Sequence, residues 1–166
     1  MKVFAILLVA GKSTRFGSDT SKQMFLMKGN PVFSYPLITL ATSETIDQVI
    51  VVTNSDHFDA VSNFVRNNNM NNVKVVLGGE TRQQSVQHGL QAIEGAEFDD
   101  IVLIHDGARP LIDEEIIQRT AKAANEAGAV TTFLPMEDTV AFSDFEEHIA
   151  GFADRTNLVK IQTPQA

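Results

Sequence analysis

Cysteine is absent from the 166 residues. This excludes disulfides and cysteine-based zinc centres, and it fits a reducing cytoplasm. A basic balance is missing as well: 13 Lys and Arg stand against 21 Asp and Glu, a net charge of -8. Proteins that track nucleic-acid phosphates carry a basic face, so a general nucleic-acid surface is excluded and any phosphate site must be a local basic patch on an acidic body. No apolar run is long enough to span a bilayer, and the first, Val3 to Val9, passes into polar residues without the small-residue cleavage site of a signal peptide. Internal repeats and linkers are lacking too. The length suits one domain with a substantial core.

What is present organises itself around Leu7 to Gln23, LLVAGKSTRFGSDTSKQ. Val3, Phe4, Ile6, Leu7, Leu8 and Val9 read as a parallel strand buried on both faces. The chain then turns polar within one residue. Ala10-Gly11 lets backbone approach a ligand closely, and Lys12, Ser13, Thr14 and Arg15 supply the cations and hydroxyls of a phosphate cradle. A Walker A loop would need glycine where Ile6 stands, and the dinucleotide fingerprint would need it where Ser13 stands, with Gly17 one residue late for the third. Neither motif is met. The residues also fit an ordinary strand-to-turn connection with solvated Lys and Arg.

Further along, Gly29-Asn30-Pro31 signals a turn, and Val32 to Ala41 has helical apolar spacing with Pro36 near its start. Strands are expected at Ile46 to Thr53, Val73 to Leu77, Ile101 to Ile104 and Ala129 to Pro135. Helices are expected between them: one opened by Ser55-Asp56 and carrying Phe58, Val61, Phe64 and Val65; one after Arg82 carrying Val86, Leu90 and Ile93; and one capped by Asp113 and stopped at Gly128. Strands alternating with helices predict an α/β fold, a Rossmann-like three-layer αβα arrangement on a mostly parallel sheet. Thr139 to Phe142 and His148 to Ala153, around the acidic turn Ser143 to Glu147, read as a projecting β-hairpin or as a mobile acidic loop.

In such a sheet the ligand crevice lies outside the carboxyl ends of the strands. Four clusters fall just past expected strand ends: Ala10 to Lys22, Gly78 to Arg82, His105 to Arg109, and the Thr139 region. They concentrate Arg15, Lys22, Arg82 and Arg109 at one edge. His105 reads as a packed strand-end residue, and His57, His88 and His148 as surface positions without a role.

AG-x-x-x-RFG with SKQ, VLGGETRQQSVQHGL, IHDGARP, PMEDTV and DRTNLVKIQTPQ occur in this order across almost the whole chain. Together they resemble the polyol-phosphate cytidylyltransferases, and most closely the 2-C-methyl-D-erythritol 4-phosphate cytidylyltransferase family of non-mevalonate isoprenoid synthesis. The relatives that make CDP-ribitol share the first loop and QTPQ; RQQSVQHGL and DRTNL look more like the erythritol family.

The resemblance implies a nucleotide-diphospho-sugar transferase-like fold and transfer of CMP from CTP to the polyol phosphate. It implies Ala10, Gly11, Ser13, Gly79, Glu80, Arg82, Ser85, Asp106, Gly107 and Arg109 around the nucleotide, with the cytosine against Ala10, Gly11, Gly79, Glu80 and Ser85. Arg15 and Lys22 would act on the triphosphate as the catalytic pair, and Asp106 would bind Mg²⁺ or another divalent cation. Thr139, Arg155 and Thr163 would hold the acceptor, and residues 138 to 155 would form an arm in a homodimer. Ser13, Glu80, Gly107 and Val159 depart from the family's usual glycine, aspartate, alanine and tryptophan, and Ser21 stands where the loop is usually written with proline. Family members continue beyond QTPQ, so the chain reads as a C-terminally shortened single domain. A ribitol 5-phosphate cytidylyltransferase and a CTP-binding fragment without turnover are the alternatives.

Overall fold

A computed structural model describes residues 1–11 and 21–166. Ser13 and Arg15, with the rest of the loop between Gly11 and Ser21, lie outside the described residues. The elements run β1 (Val3–Leu8), β2 (Leu26–Met27), β3 (Asn30–Pro31), α1 (Ser34–Thr42), β4 (Gln48–Thr53), α2 (Phe58–Asn67), β5 (Val73–Leu77), α3 (Arg82–Gln91), β6 (Ile101–Asp106), α4 (Glu114–Ala127), β7 (Thr131–Pro135), β8 (Ala141–Ser143), β9 (Ile149–Phe152) and β10 (Val159–Gln165). Six strands form the main sheet in the order β5-β4-β1-β6-β10-β7. The first four in that order are parallel neighbours, as expected of strands with apolar residues on both faces.

Alternation along β1 divides the core into two layers. Val3, Ala5, Leu7 and Val9 face a cluster holding Leu37 and Leu40 of α1, Val61 of α2, and Ile117, Ala121 and Ala124 of α4. Ile6 and Leu8 face the other way, with Ile50, Val52, Val86 and Ile93. Helices therefore cover both faces, α1, α2 and α4 on one and α3 on the other. Phe33 and Phe64 meet edge to face, centroids 5.5 Å apart, fixing α2 against the start of α1.

Several boundaries are set by capping. Asp113 accepts from the Ile116 N–H at 2.8 Å and opens α4, and Gly128 closes it at φ 82°. Thr81 and Gln84 form a reciprocal capping box at the start of α3. That helix ends at Gln91, so Ile93 packs from beyond it and Leu90 is exposed. A 3-10 turn, Ser55–His57, precedes α2 and is capped by Asn54, one residue before the expected Ser55.

The sheet departs from the expected order at its far side. Ala129 to Pro135 was expected to extend the parallel sheet directly; instead β10 inserts between β6 and β7, antiparallel to both. Val159 to Gln165 alternates poorly and contains Pro164, which cannot donate to a ladder and argues against an inner strand. The structure absorbs it with a register shift between Ile161 and Gln165. The hairpin β8-β9 forms a separate two-stranded sheet. No helix of the described residues is long and apolar enough to cross a membrane.

Leu103 of β6 is completely buried and Phe98, just before it, is fully exposed. Leu103→Ala should lower the unfolding free energy by about 3 kcal/mol, the usual cost of a core truncation. Phe98→Ala should change it by less than about 0.5 kcal/mol. Urea midpoints at constant slope provide the check.

Candidate active site

The carboxyl ends of β1, β4, β5 and β6 lie along one edge, and backbone bonds join the segments that leave them. Val9 N–H donates to Val52 at 2.7 Å, Gly78 N–H to Thr53 at 2.8 Å, and Gly107 N–H to Leu8 at 2.8 Å. Gly78 is needed there: a Cβ on it would lie 2.7 Å from Ser85 Oγ and 3.0 Å from the Ala10 Cβ. Ala10, Gly78, Gly79 and Ser85 thus converge, and Ser85 is buried with its Oγ accepting from the Gly79 N–H at 3.2 Å.

Asp106 ends β6 and gathers the charge. Arg82 Nη2 donates to its Oδ1 at 3.3 Å, and Arg109 Nε to its Oδ2 at 3.2 Å. Arg109 also reaches the Gln162 side chain of β10. Two guanidinium groups around one carboxylate leave a local positive excess on an otherwise acidic chain. Both arginines are partly exposed, so these contacts are weak and exchangeable in water.

Beneath this charge lies a hydrogen-bond chain that sequence reading did not anticipate. His105 is 1% exposed. Burial pushes its imidazole below the usual histidine range, against the pull of the Arg109 carbonyl and the Asp106 carboxylate, so the ring is neutral. Its Nε2 lies 3.0 Å from the Arg109 carbonyl and therefore carries the proton. Its Nδ1 then accepts from Thr163 Oγ1 at 3.2 Å, and the same oxygen accepts from the Asp106 N–H at 3.2 Å. Thr163, expected at the acceptor, has its hydroxyl engaged in this frame. The residue type alone carried no signal for that role, because β10 was not recognised as the strand beside β6.

The remaining expected site residues fall into two groups. Lys22 is exposed and opens a 3-10 turn, Lys22–Met24, beside the end of β1; Gly11 and Glu80 are close to strand ends and both exposed. Thr139 is exposed and Arg155 donates to the Glu137 carbonyl, both at the base of the hairpin. The structure does not join these two to the Asp106 cluster. They follow β7, whose carboxyl end points the same way as that of β6.

Thr163→Val should lower the unfolding free energy by about 2 kcal/mol, because the Asp106 N–H and the His105 Nδ1 both lose a partly buried partner. Thr163→Ser should recover most of that loss. Chemical denaturation of the two variants side by side measures the difference.

Comparison with known proteins matches the sequence and the fold to one family. The profile described as 2-C-methyl-D-erythritol 4-phosphate cytidylyltransferase matches residues 3–166. The curated enzyme of that name from Clostridium botulinum (strain Langeland) is 35% identical over 96% of this chain and 69% of its own length. That from Syntrophus aciditrophicus is 38% identical over 99% of this chain and 70% of its own. The crystal structure of 4-diphosphocytidyl-2C-methyl-D-erythritol synthase from Anaerococcus prevotii superposes with a TM-score of 0.83 at 29% identity, covering 99% of this chain and 68% of that one. The chain thus spans about two thirds of the length of these relatives. With a profile match over residues 3–166 and relatives above 30% identity, the chain belongs to the 2-C-methyl-D-erythritol 4-phosphate cytidylyltransferase family.

Proposed function

We propose that the chain transfers CMP from CTP to 2-C-methyl-D-erythritol 4-phosphate, releasing pyrophosphate, within a single cytoplasmic domain. The observation that carries the reading is the Asp106 carboxylate bracketed by Arg82 and Arg109 at the carboxyl edge of a parallel sheet. A phosphate oxygen of the acceptor attacks the α-phosphorus of CTP, forming the new O–P bond as the bond to the β-phosphate oxygen breaks. That oxygen is already deprotonated, so no general base is required. Catalysis is then positioning and charge stabilisation.

In this reading Ala10, Gly11, Gly79, Glu80 and Ser85 frame the cytosine, with backbone groups and one hydroxyl reading the edge of the ring. Lys22, with Arg15, offsets the charge that builds on the α-phosphoryl group. Arg82 and Arg109 exchange their shared carboxylate for phosphate oxygens. No group of three or more His, Cys, Asp or Glu side chains that could hold an ion stands among the described residues. An ion here would rest on Asp106 together with phosphate oxygens and water, a hard-oxygen donor set that suits Mg²⁺. Mg²⁺ held there would supply charge neutralisation to the phosphates. Thr139 and Arg155 reach the acceptor from the arm of a second copy, and the Thr163 hydroxyl, which donates to His105 and accepts from the Asp106 N–H, keeps one lone pair for it.

The arm, residues 138 to 155, supports assembly as a homodimer. Ala141 faces Phe152 and Phe142 faces Gly151, so Phe142 and Phe152 stand on opposite faces of the hairpin. Both are exposed, at 62% and 69%, as is Ile149 at 67%. A two-stranded sheet with apolar side chains on both faces is marginal alone, and clasping a second copy buries them.

Two measurements test the proposal. CTP with Mg²⁺ should raise the melting temperature while ATP and GTP do little; equal shifts with all three would remove the cytidine assignment. Lys22→Ala should lower turnover by about 10²-fold, on the scale of one oriented electrostatic donor, with the Michaelis constant little changed. A higher Michaelis constant at unchanged turnover would make Lys22 a uniform binding residue.

A further inference from the structure

Ser21, the residue before Lys22, is buried, with φ -65° and ψ 144°. That φ is the value a proline ring would fix covalently, yet serine has no ring and its backbone is free to leave it. A side-chain contact restrains it: Ser21 Oγ and His57 Nε2 are 3.0 Å apart and hydrogen-bonded. His57 is itself anchored. Its N–H donates to Asn54 Oδ1 at 3.0 Å, and Asn54 Nδ2 donates to the Ala10 carbonyl at 3.4 Å. The ring is thus mounted on the segment that leaves β4, which is tied in turn to the segment that leaves β1.

A second tether meets the same turn from another side. Gln23 is buried, and its Nε2 donates to the Val9 carbonyl at 3.3 Å and to the Gly11 carbonyl at 3.0 Å. A Cβ on Gly11 would lie 2.8 Å from that nitrogen, so the approach depends on glycine. The Lys22 side chain is therefore carried on a turn whose preceding and following residues are each pinned to a strand end.

We infer that His57 is a positioning residue for Lys22: through Ser21 its ring fixes the backbone from which the lysine projects toward the nucleotide phosphates. This deepens the proposed function and rests on it for the role of Lys22. The clamp itself is a property of the ligand-free chain. Among the described residues none accepts a hydrogen bond from the Ser21 N–H, so proline at that position removes no backbone bond and supplies by covalent geometry what His57 supplies through the Ser21 hydroxyl.

The test is amide hydrogen exchange on the ligand-free chain, read at Met24 and Phe25, whose N–H groups close the turn onto Ser21 and Lys22 at 2.9 and 3.3 Å. His57→Ala and Ser21→Ala should each speed exchange there by about three- to tenfold, the scale of one net hydrogen bond. The double alanine variant should be no faster than either single one, Ile6 in β1 should not respond, and Ser21→Pro combined with His57→Ala should restore slow exchange. In the same variants turnover should fall and recover in parallel with the exchange, while the Michaelis constant for CTP stays close to that of the unaltered chain. Unchanged exchange in His57→Ala, additive effects of the two alanines, or failure of Ser21→Pro to restore protection would overturn the clamp. The expected exchange pattern in a wild-type chain that takes up no CTP would overturn the nucleotide reading and leave the clamp standing.

Discussion

The site depends on one constraint: β1 is buried on both faces in the middle of a parallel sheet, so its polar continuation can emerge only at the carboxyl edge. Ala5, Ile6, Leu7 and Val9 have no exposed surface, and the neighbours β4 and β6 pair with β1 in register over most of its length. The segments leaving those strands must therefore meet. Bonds from Val9 to Val52, Gly78 to Thr53 and Gly107 to Leu8 make one rim of them. Glycine recurs on this rim because backbone must pass within contact distance of neighbouring backbone and side chains.

On that rim the chemistry is electrostatic and the support is neutral. Arg82 and Arg109 share Asp106 through contacts that water screens, so the arginines can be given up to phosphate oxygens at small cost. Below them, the neutral His105 and the Thr163 hydroxyl hold Asp106 and Arg109 through partly buried, uncharged hydrogen bonds. This places β10 under the charged cluster, although only its last residue pairs with β6 in the ladder. A shallow exchangeable layer over a fixed one suits a site that must admit and release highly charged substrates.

Much of this was legible in the residues. Continuous apolar runs gave β1, β4 and β5, and Asp113 and Gly128 marked the ends of α4 as side-chain and backbone physics require. Asp106, Arg82 and Arg109 could be placed at one edge because each follows a strand. β10 was not legible as an inner strand, since Pro164 and mixed polarity are poor strand signals, and with it went the second role of Thr163. His57 read as a surface residue because its helix face looked polar; its half-buried ring becomes visible only once the Ser21 segment folds back onto Asn54. The hairpin was visible in its alternation, but what covers Phe142 and Phe152 is not a local property.

The central claim is that this rim transfers CMP to one kind of polyol phosphate. The most direct measurement is pyrophosphate release from CTP and Mg²⁺, with the nucleotide product followed by phosphorus NMR, in the presence of either 2-C-methyl-D-erythritol 4-phosphate or ribitol 5-phosphate. The account predicts stoichiometric pyrophosphate and CDP-methylerythritol with the first acceptor and little product with the second. Faster reaction with ribitol 5-phosphate, or CTP binding without pyrophosphate release with either acceptor, would contradict it.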